Sequence, residues 1–164
     1  MSAPTANPVY PLPDLAQVKG LLGMLFDGLS VKPGPKLDVA PKANSYFAVY
    51  VSDDGNPAAL CGCDLAFAAN SGAALSMLPP NAAKDAINDK ELTPVMLANL
   101  HEVMNICTRL MLRDGSPHLK LRELCALSAL PPPAAAIIGA PRGRVDFEIG
   151  IVKYGVGVLS VMCL

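Results

Sequence analysis

Between Thr93 and Leu112, apolar and polar positions recur with the period of about 3.6 residues that is typical of a helix. Thr93-Pro94 indicates where this helix begins, because a threonine hydroxyl can cap the first turn and proline suits the first helical position. Asp114-Gly115 indicates a stop just beyond its end. At about 100° per residue, one arc of the helix is polar and the remaining arc is wide enough to face a core. The pattern therefore predicts an amphipathic helix ending near residue 112.

The polar arc of this helix forms a water-facing stripe. Its side chains are those of Ala98, His101, Glu102, Asn105, Thr108 and Arg109. Glu102 and Asn105 are three residues apart, so their side chains are predicted to emerge as neighbours. Leu97 is placed on the core-facing arc, and Asn99 is the one polar residue that falls on that side. An ordinary solvated helix face explains this spacing as well as a functional site does.

Elsewhere, shorter patterns predict the remaining elements. Asp14 can cap a first helix that Pro33-Gly34-Pro35 closes, and Asp53-Asp54-Gly55-Asn56 suits the turn of a hairpin. The predicted elements are a helix over about 14–29, strands over 45–51 and 58–67, a helix over 70–78, a helical turn over 82–87, a loop at Pro131-Pro132-Pro133, and strands over 119–127, 144–154 and 156–164.

The order of these elements predicts the fold class. A helix followed by antiparallel strands occurs twice, which indicates a duplicated unit even though the two halves share no clear sequence identity. We therefore expect an α+β fold with an antiparallel sheet and helices packed on one face. Residues 14–164 are predicted to form this single domain, preceded by a flexible N-terminal segment over residues 1–13.

Composition narrows the class of protein. The chain has 164 residues, of which 52% are hydrophobic and 16% charged, so a sizeable core is expected. A net charge of −1 without a run of basic residues argues against nucleic acid or an anionic membrane as a partner. Residues 1–13 show neither a secretory nor a transit signal, and no apolar stretch suits a membrane helix. The five cysteines lie in apolar sequence and favour buried, reduced thiols in the cytoplasm.

Three short motifs invite other chemistry, and each has a simpler interpretation. His101-Glu102-Val103-Met104-Asn105 lacks the second histidine of a zinc-protease helix, and zinc prefers imidazole or thiolate to an amide. Cys61-Gly62-Cys63 has one intervening residue on a predicted strand, which favours core packing over a redox pair. The turn at residues 53–56 lacks the downstream glutamate of a calcium loop. No metal or cofactor is predicted for this chain.

From about Ala58 to Arg109, and more loosely to its C-terminus, the chain resembles the CheC/CheX/FliY family of chemotaxis phosphatases. The signature of that family is Asp or Ser, three residues, Glu, two residues and Asn, on a surface helix. Here the corresponding stretch is Ala98-Asn99-Leu100-His101-Glu102-Val103-Met104-Asn105. The passage from Leu65-Ala66-Phe67 through Ala73-Ala74-Leu75-Ser76-Met77-Leu78 is similar to the family's strand-to-helix region. The first helix carries neither Glu nor Asn at signature positions, so a single site is expected, as in CheX-like members.

The resemblance implies hydrolysis of the aspartyl phosphate on a CheY-like response regulator in two-component signalling. Asn105 is then expected to orient the attacking water, because an amide can do so without titrating. Glu102 is expected to pair with a receiver lysine and fix the docking geometry. Mg²⁺ is expected on the receiver. Ala98 stands where the family has Asp or Ser, and Arg109 where it often has Gly, and together with His101 they are expected to line the binding surface.

Three hypotheses remain open on the sequence. The retained Glu102/Asn105 pair favours a phosphatase acting on a phosphorylated receiver. Ala98 and Arg109 favour a module that binds a receiver without catalysis. The third hypothesis is a homo-oligomeric protein, such as a homodimer, that associates through free sheet edges.

Overall fold

The computed structural model describes residues 10–164, and the fold is built from five helices and six strands in this range. The helices are α1 (Leu15–Leu22), α2 (Leu65–Leu75), α3 (Pro80–Asp89), α4 (Pro94–Ile106) and α5 (Pro132–Gly139). The strands are β1 (Ser30–Pro33), β2 (Tyr46–Val51), β3 (Pro57–Cys63), β4 (Lys120–Ala126), β5 (Gly143–Ile151) and β6 (Gly155–Cys163). Short 3₁₀ segments cover Cys107–Met111 and Leu127–Ala129.

All six strands join one antiparallel sheet in the order β1-β5-β6-β3-β2-β4. This order reads the same from either edge when β1, β2 and β3 are exchanged with β4, β5 and β6. Each edge strand pairs with the middle strand of the other half, and β3 and β6 meet at the centre. A helix precedes each set of three strands, α1 in the first half and α4 in the second. The predicted α+β class with a duplicated helix-plus-strands unit is therefore confirmed.

Apolar side chains cover both faces of the sheet, because successive residues of a strand point to opposite sides. In β2, Ala48 and Tyr50 belong to the larger core beneath helices α1 to α4. Phe47 and Val49 belong to a smaller core on the other face, which α5 covers with Ala134 and Ile137. Helices α1 to α4 thus share one face as predicted, and α5 adds cover to the second.

Three element predictions differ from the structure near the N-terminal half. The first helix ends at Leu22 instead of continuing to residue 29, and Gly23 caps it. The chain then forms β1, a four-residue strand that was not predicted, by pairing with β5. Helix α2 begins at Leu65 rather than at residue 70, because the Asp64 carboxylate accepts a hydrogen bond from the Phe67 N–H at 2.8 Å and caps the helix.

The proline-rich stretch after β4 was predicted as a loop, and that prediction is wrong for most of it. Helix α5 begins at Pro132, a position that suits proline because the first helical N–H groups need no partner within the helix. Its buried residues Ala134 and Ile137 are three apart and so face the sheet together.

The packed part of the chain begins before the boundary predicted at residue 14. Residues 1–9 of the predicted flexible segment lie outside the described residues. Tyr10 is 1% exposed within the larger core, and its carbonyl accepts a hydrogen bond from the Cys163 thiol at 3.4 Å. Within residues 10–164, no helix is long and apolar enough to cross a membrane.

Candidate functional site

Helix α4 is fixed at its start and along its inner face. The Thr93 hydroxyl accepts a hydrogen bond from the Met96 N–H at 3.2 Å, as the cap signal in the sequence predicts. The buried residues are Met96, Leu100, Val103 and Met104. From the sheet below, the buried Tyr50 hydroxyl donates to the Met104 carbonyl at 2.5 Å. The helix is thereby tied both to the sheet and to the core.

A second helix holds α4 from the side. Gly72 of α2 lies so close to α4 that a Cβ there would be 2.8 Å from the Met96 carbonyl oxygen. Next to this contact, Asn99 Nδ2 donates to the Gly72 carbonyl and to Ser76 Oγ, each at 2.7 Å. Asn99, the polar residue that fell on the core side of the predicted helix, therefore fastens α4 to α2. Leu97 is 40% exposed, so its predicted place in the core is wrong.

The outer face of α4 carries the polar stripe that the sequence predicts. Ala98, His101, Glu102, Asn105 and Arg109 are all exposed. Among residues 10–164, the side chains of Glu102, Asn105 and Arg109 have no hydrogen-bond or ion-pair partner. The Asn105 carbonyl accepts from the Thr108 hydroxyl at 2.7 Å, which supports the backbone but leaves the amide side chain free. The stripe thus offers a carboxylate, an amide and a guanidinium to a partner from outside.

Three of the six stripe residues meet in one open depression of about 430 Å³. Glu102, Asn105 and Arg109 line it together with Ile106, whereas Ala98, His101 and the half-buried Thr108 are not part of this lining. Across from them, Leu21 lies in the last turn of α1, and Met24 and Leu25 follow in the turn beyond it. Met24 is 71% exposed. The polar groups therefore face an apolar wall across the depression.

This apolar wall has no signature in the sequence. Leu21 and Leu25 fit the helical period of the predicted first helix, and such a period on its own indicates only a core-facing side. Met24 carries no local signal for a site. Their position opposite α4 is a tertiary property, since it depends on how α1 packs near the 3₁₀ segment that follows α4.

The other motifs have structural roles. Cys61 and Cys63 are fully buried on the same side of β3, and burial raises the pKa of the Cys61 thiol to about 12. Such a thiol stays protonated and is a poor nucleophile or metal ligand. Residues 53–56 form the β2–β3 turn, with Gly55 at φ +81°. Within residues 10–164 no group of three or more His, Cys, Asp or Glu side chains is placed to hold a metal ion.

The fold and this surface define an α+β protein whose duplicated antiparallel sheet presents one helix with an unpaired polar face. The sequence itself matches no family model and no curated protein. Solved structures do match. The chain is similar to a chain of the CheX–CheY–BeF3–Mg²⁺ complex from Borrelia burgdorferi, with 13% identity, a TM-score of 0.56, and 88% and 90% of the two chains covered.

Two further solved structures share the architecture. The FliM–SpeE complex from H. pylori contains a match with 9% identity, a TM-score of 0.55, and 91% of this chain and 78% of that chain covered. FliY from Thermotoga maritima matches with 11% identity, a TM-score of 0.50, and 88% and 81% covered. The chain has a CheC/CheX/FliY-type fold, and the resemblance predicted from the sequence is confirmed at the level of the fold.

Proposed function

We propose that this protein binds a phosphorylated CheY-like receiver at the depression beside α4 and hydrolyses its aspartyl phosphate. The observation that carries the proposal is the pair Glu102 and Asn105, exposed side by side without partners on a helix fixed from three directions. In support, one solved protein of this fold is a CheX in complex with CheY. A role in chemotaxis and a cytoplasmic location belong to this proposal.

The proposed chemistry needs little from the protein beyond positioning. An acyl phosphate is already activated, so hydrolysis is accelerated chiefly by holding water in line with the phosphorus. The Asn105 amide can accept a hydrogen bond from that water and direct its lone pair toward the phosphorus, and it does not titrate near neutral pH. Glu102 lies about one helical turn from Asn105 and offers its carboxylate to a cationic side chain of the receiver. This pairing sets the depth and angle of docking. In this proposal the receiver holds the Mg²⁺.

The fixed position of α4 matters for this chemistry because it determines where Asn105 holds the water, and a misplaced water loses most of the rate gain from orientation. Tyr50 and Asn99 hold the helix from the side away from the partner. They therefore set the position of Asn105 without competing with a receiver for the exposed stripe.

The deciding experiment measures the decay of a phosphorylated receiver with and without the protein, using a panel of receivers. We expect acceleration by the wild type and its loss in Asn105→Ala. The matched control is Asn88→Ala, which removes the same side chain from an exposed position on α3 and should leave the rate unchanged. Glu102→Ala is expected to weaken receiver binding.

A receiver-binding module without catalysis is the second candidate. It is favoured by Ala98, which is exposed on α4 and adds only a methyl group where an acid or hydroxyl would reach a partner. This candidate predicts receiver binding that depends on Glu102 but no change in phosphate decay. If no receiver binds, the remaining hypothesis is self-association through the edge strands β1 and β4, which light scattering would detect.

A further inference from the structure

Arg109 occupies an unusual place on the stripe. It lies in the 3₁₀ segment that continues α4, four residues after Asn105, and both residues line the same depression. With a rise of about 1.5–2.0 Å per residue, its backbone is about 6–8 Å further along the axis. A long side chain from this position can reach a group held by Asn105.

The guanidinium of Arg109 has no partner that explains its position. Among residues 10–164 there are two ion pairs, and they join His118 to Asp53 and Arg144 to Asp146. Glu102 lies two helical turns away. On its other side Arg109 lines a second depression with Gln17, Arg113 and Asp114, but there it is Arg113 that donates to Gln17 Oε1, at 2.6 Å. Arg109 thus stands between two depressions with its donors free.

The surroundings favour a phosphate as the group that Arg109 meets. A guanidinium presents a planar fork of donors that matches two phosphate oxygens, which a compact ammonium cannot do. Leu21, Met24 and Leu25 line the same depression, so a partner that covers it would displace water from their apolar side chains. Charge–charge attraction is stronger in such a dry setting than in bulk water.

We infer that Arg109 binds the phosphoryl oxygens of the receiver's aspartyl phosphate and stabilises their charge during hydrolysis. This inference rests on the proposed function. In the step, the oxygen of the Asn105-held water bonds to phosphorus, and the bond from phosphorus to the acyl oxygen breaks. The electron pair of that bond stays on the receiver carboxylate. Both water protons leave with the phosphate as H2PO4⁻, and Arg109 is unchanged.

The first test is the rate of receiver dephosphorylation at saturating protein. We expect Arg109→Ala to lower it by about 10- to 100-fold, which is below the loss of about 100- to 1000-fold typical of a charge-stabilising donor in an enclosed site, because this site is open before docking. Arg109→Lys should restore only part of the rate, since it keeps the charge but not the fork. The matched control is Arg142→Ala, which removes an exposed arginine from the turn between α5 and β5 and changes the net charge equally.

The second test does not depend on turnover. Binding is measured to the receiver with and without BeF3⁻ and Mg²⁺, a stable substitute for the phosphoryl group. We expect the wild type and Arg142→Ala to bind the receiver loaded with BeF3⁻ and Mg²⁺ at least tenfold more tightly than the unloaded receiver. Arg109→Ala should lose most of this gain in affinity but bind the unloaded receiver as tightly as the wild type does.

The two tests separate failure of this inference from failure of the proposed function. If Asn105→Ala abolishes hydrolysis but Arg109→Ala changes neither rate nor the BeF3⁻-dependent gain, Arg109 has no phosphoryl role. If the wild type prefers the loaded receiver and this preference depends on Arg109, but the phosphorylated receiver is not hydrolysed, phosphoryl binding by Arg109 is supported and the proposed phosphatase activity is overturned. If the wild type does not distinguish loaded from unloaded receivers, the inference is overturned. A change in thermal stability alone would indicate a structural role at the helix end.

Discussion

The contact between α2 and α4 at Gly72 allows a sharp test of what fixes the position of the helix that carries the polar stripe. A Cβ at this position would lie 2.8 Å from the Met96 carbonyl oxygen and 3.0 Å from the Met96 Cα. Both are backbone atoms, so the clash in Gly72→Ala cannot be relieved by rotating a side chain. Helix α4 has to move, or the two helices must separate.

The expected magnitude follows from two opposing effects. Overpacking a buried site costs about 1–3 kcal/mol, and a backbone obstacle belongs to the upper half of that range. Alanine in place of glycine within a helix recovers up to about 1 kcal/mol. The net loss is therefore about 1–2 kcal/mol in the free energy of unfolding, or a fall in Tm of about 2–8 °C for a domain of this size.

Gly20 supplies the matched control for this prediction. It also lies within a helix, α1, but a Cβ there would meet no heavy atom within 4 Å. Gly20→Ala should therefore stabilise the protein by about 0.5–1 kcal/mol through helix propensity alone. Both variants are compared by urea unfolding followed by circular dichroism. A stabilised Gly72→Ala, or equal shifts in the two variants, would refute the close packing of α2 on α4.

Three further predictions concern single groups. Tyr50→Phe removes the buried donor to the Met104 carbonyl and should lower the free energy of unfolding by about 1–2 kcal/mol, measured in urea. Burial alone would raise the pKa of Asp146, but hydrogen bonds from Arg144 and a backbone N–H outweigh it and lower that pKa. Since the native carboxyl binds its proton less readily than the unfolded one, its contribution is present above about pH 4 and lost as the pH falls further. At pH 7 the Asp146→Asn variant should therefore have a lower urea midpoint of unfolding than the wild type. The difference between the two midpoints should shrink towards pH 3. Thiol labelling of the native protein should modify Cys125 alone, because the other four cysteines are buried; labelling that persists in Cys125→Ala would contradict this.

The sequence predicts those parts of the fold that local chemistry specifies. Thr93-Pro94 predicts the start of α4 correctly, because a cap and an initiating proline act within a few residues. The β2–β3 hairpin is predicted for the same reason, since its turn residues and alternating strands are neighbours in the chain. The polar stripe of α4 is also predicted from residues close together in the chain, and its exposed residues are found where the helical period places them.

Elements that depend on distant partners are not predictable in this way. Strand β1 has four residues, one of them proline, and it becomes a strand by pairing with β5, more than a hundred residues later. Asp64 was included in a predicted strand, although aspartate favours helix caps over strands and here caps the next helix, because the apolar run continues on both sides of it to Phe67. The apolar wall of the candidate site is missed because it requires α1 to pack beside the end of α4.

In the proposed function we expect one site and not two, because the two equivalent helices of the duplicated fold differ. Helix α4 has 13 residues, enough for a stripe of several turns, whereas α1 has 8 and ends where Gly23 caps it. Beyond that end, Met24 and Leu25 turn towards the face of α4 and become its apolar wall. Helix α4 and the 3₁₀ segment after it thus supply the polar groups of the depression, and the end of α1 with the turn beyond it supplies the apolar ones. Helix α1 contacts this 3₁₀ segment, which brings the apolar side chains to the same depression. In the proposed function each chain therefore accommodates one receiver.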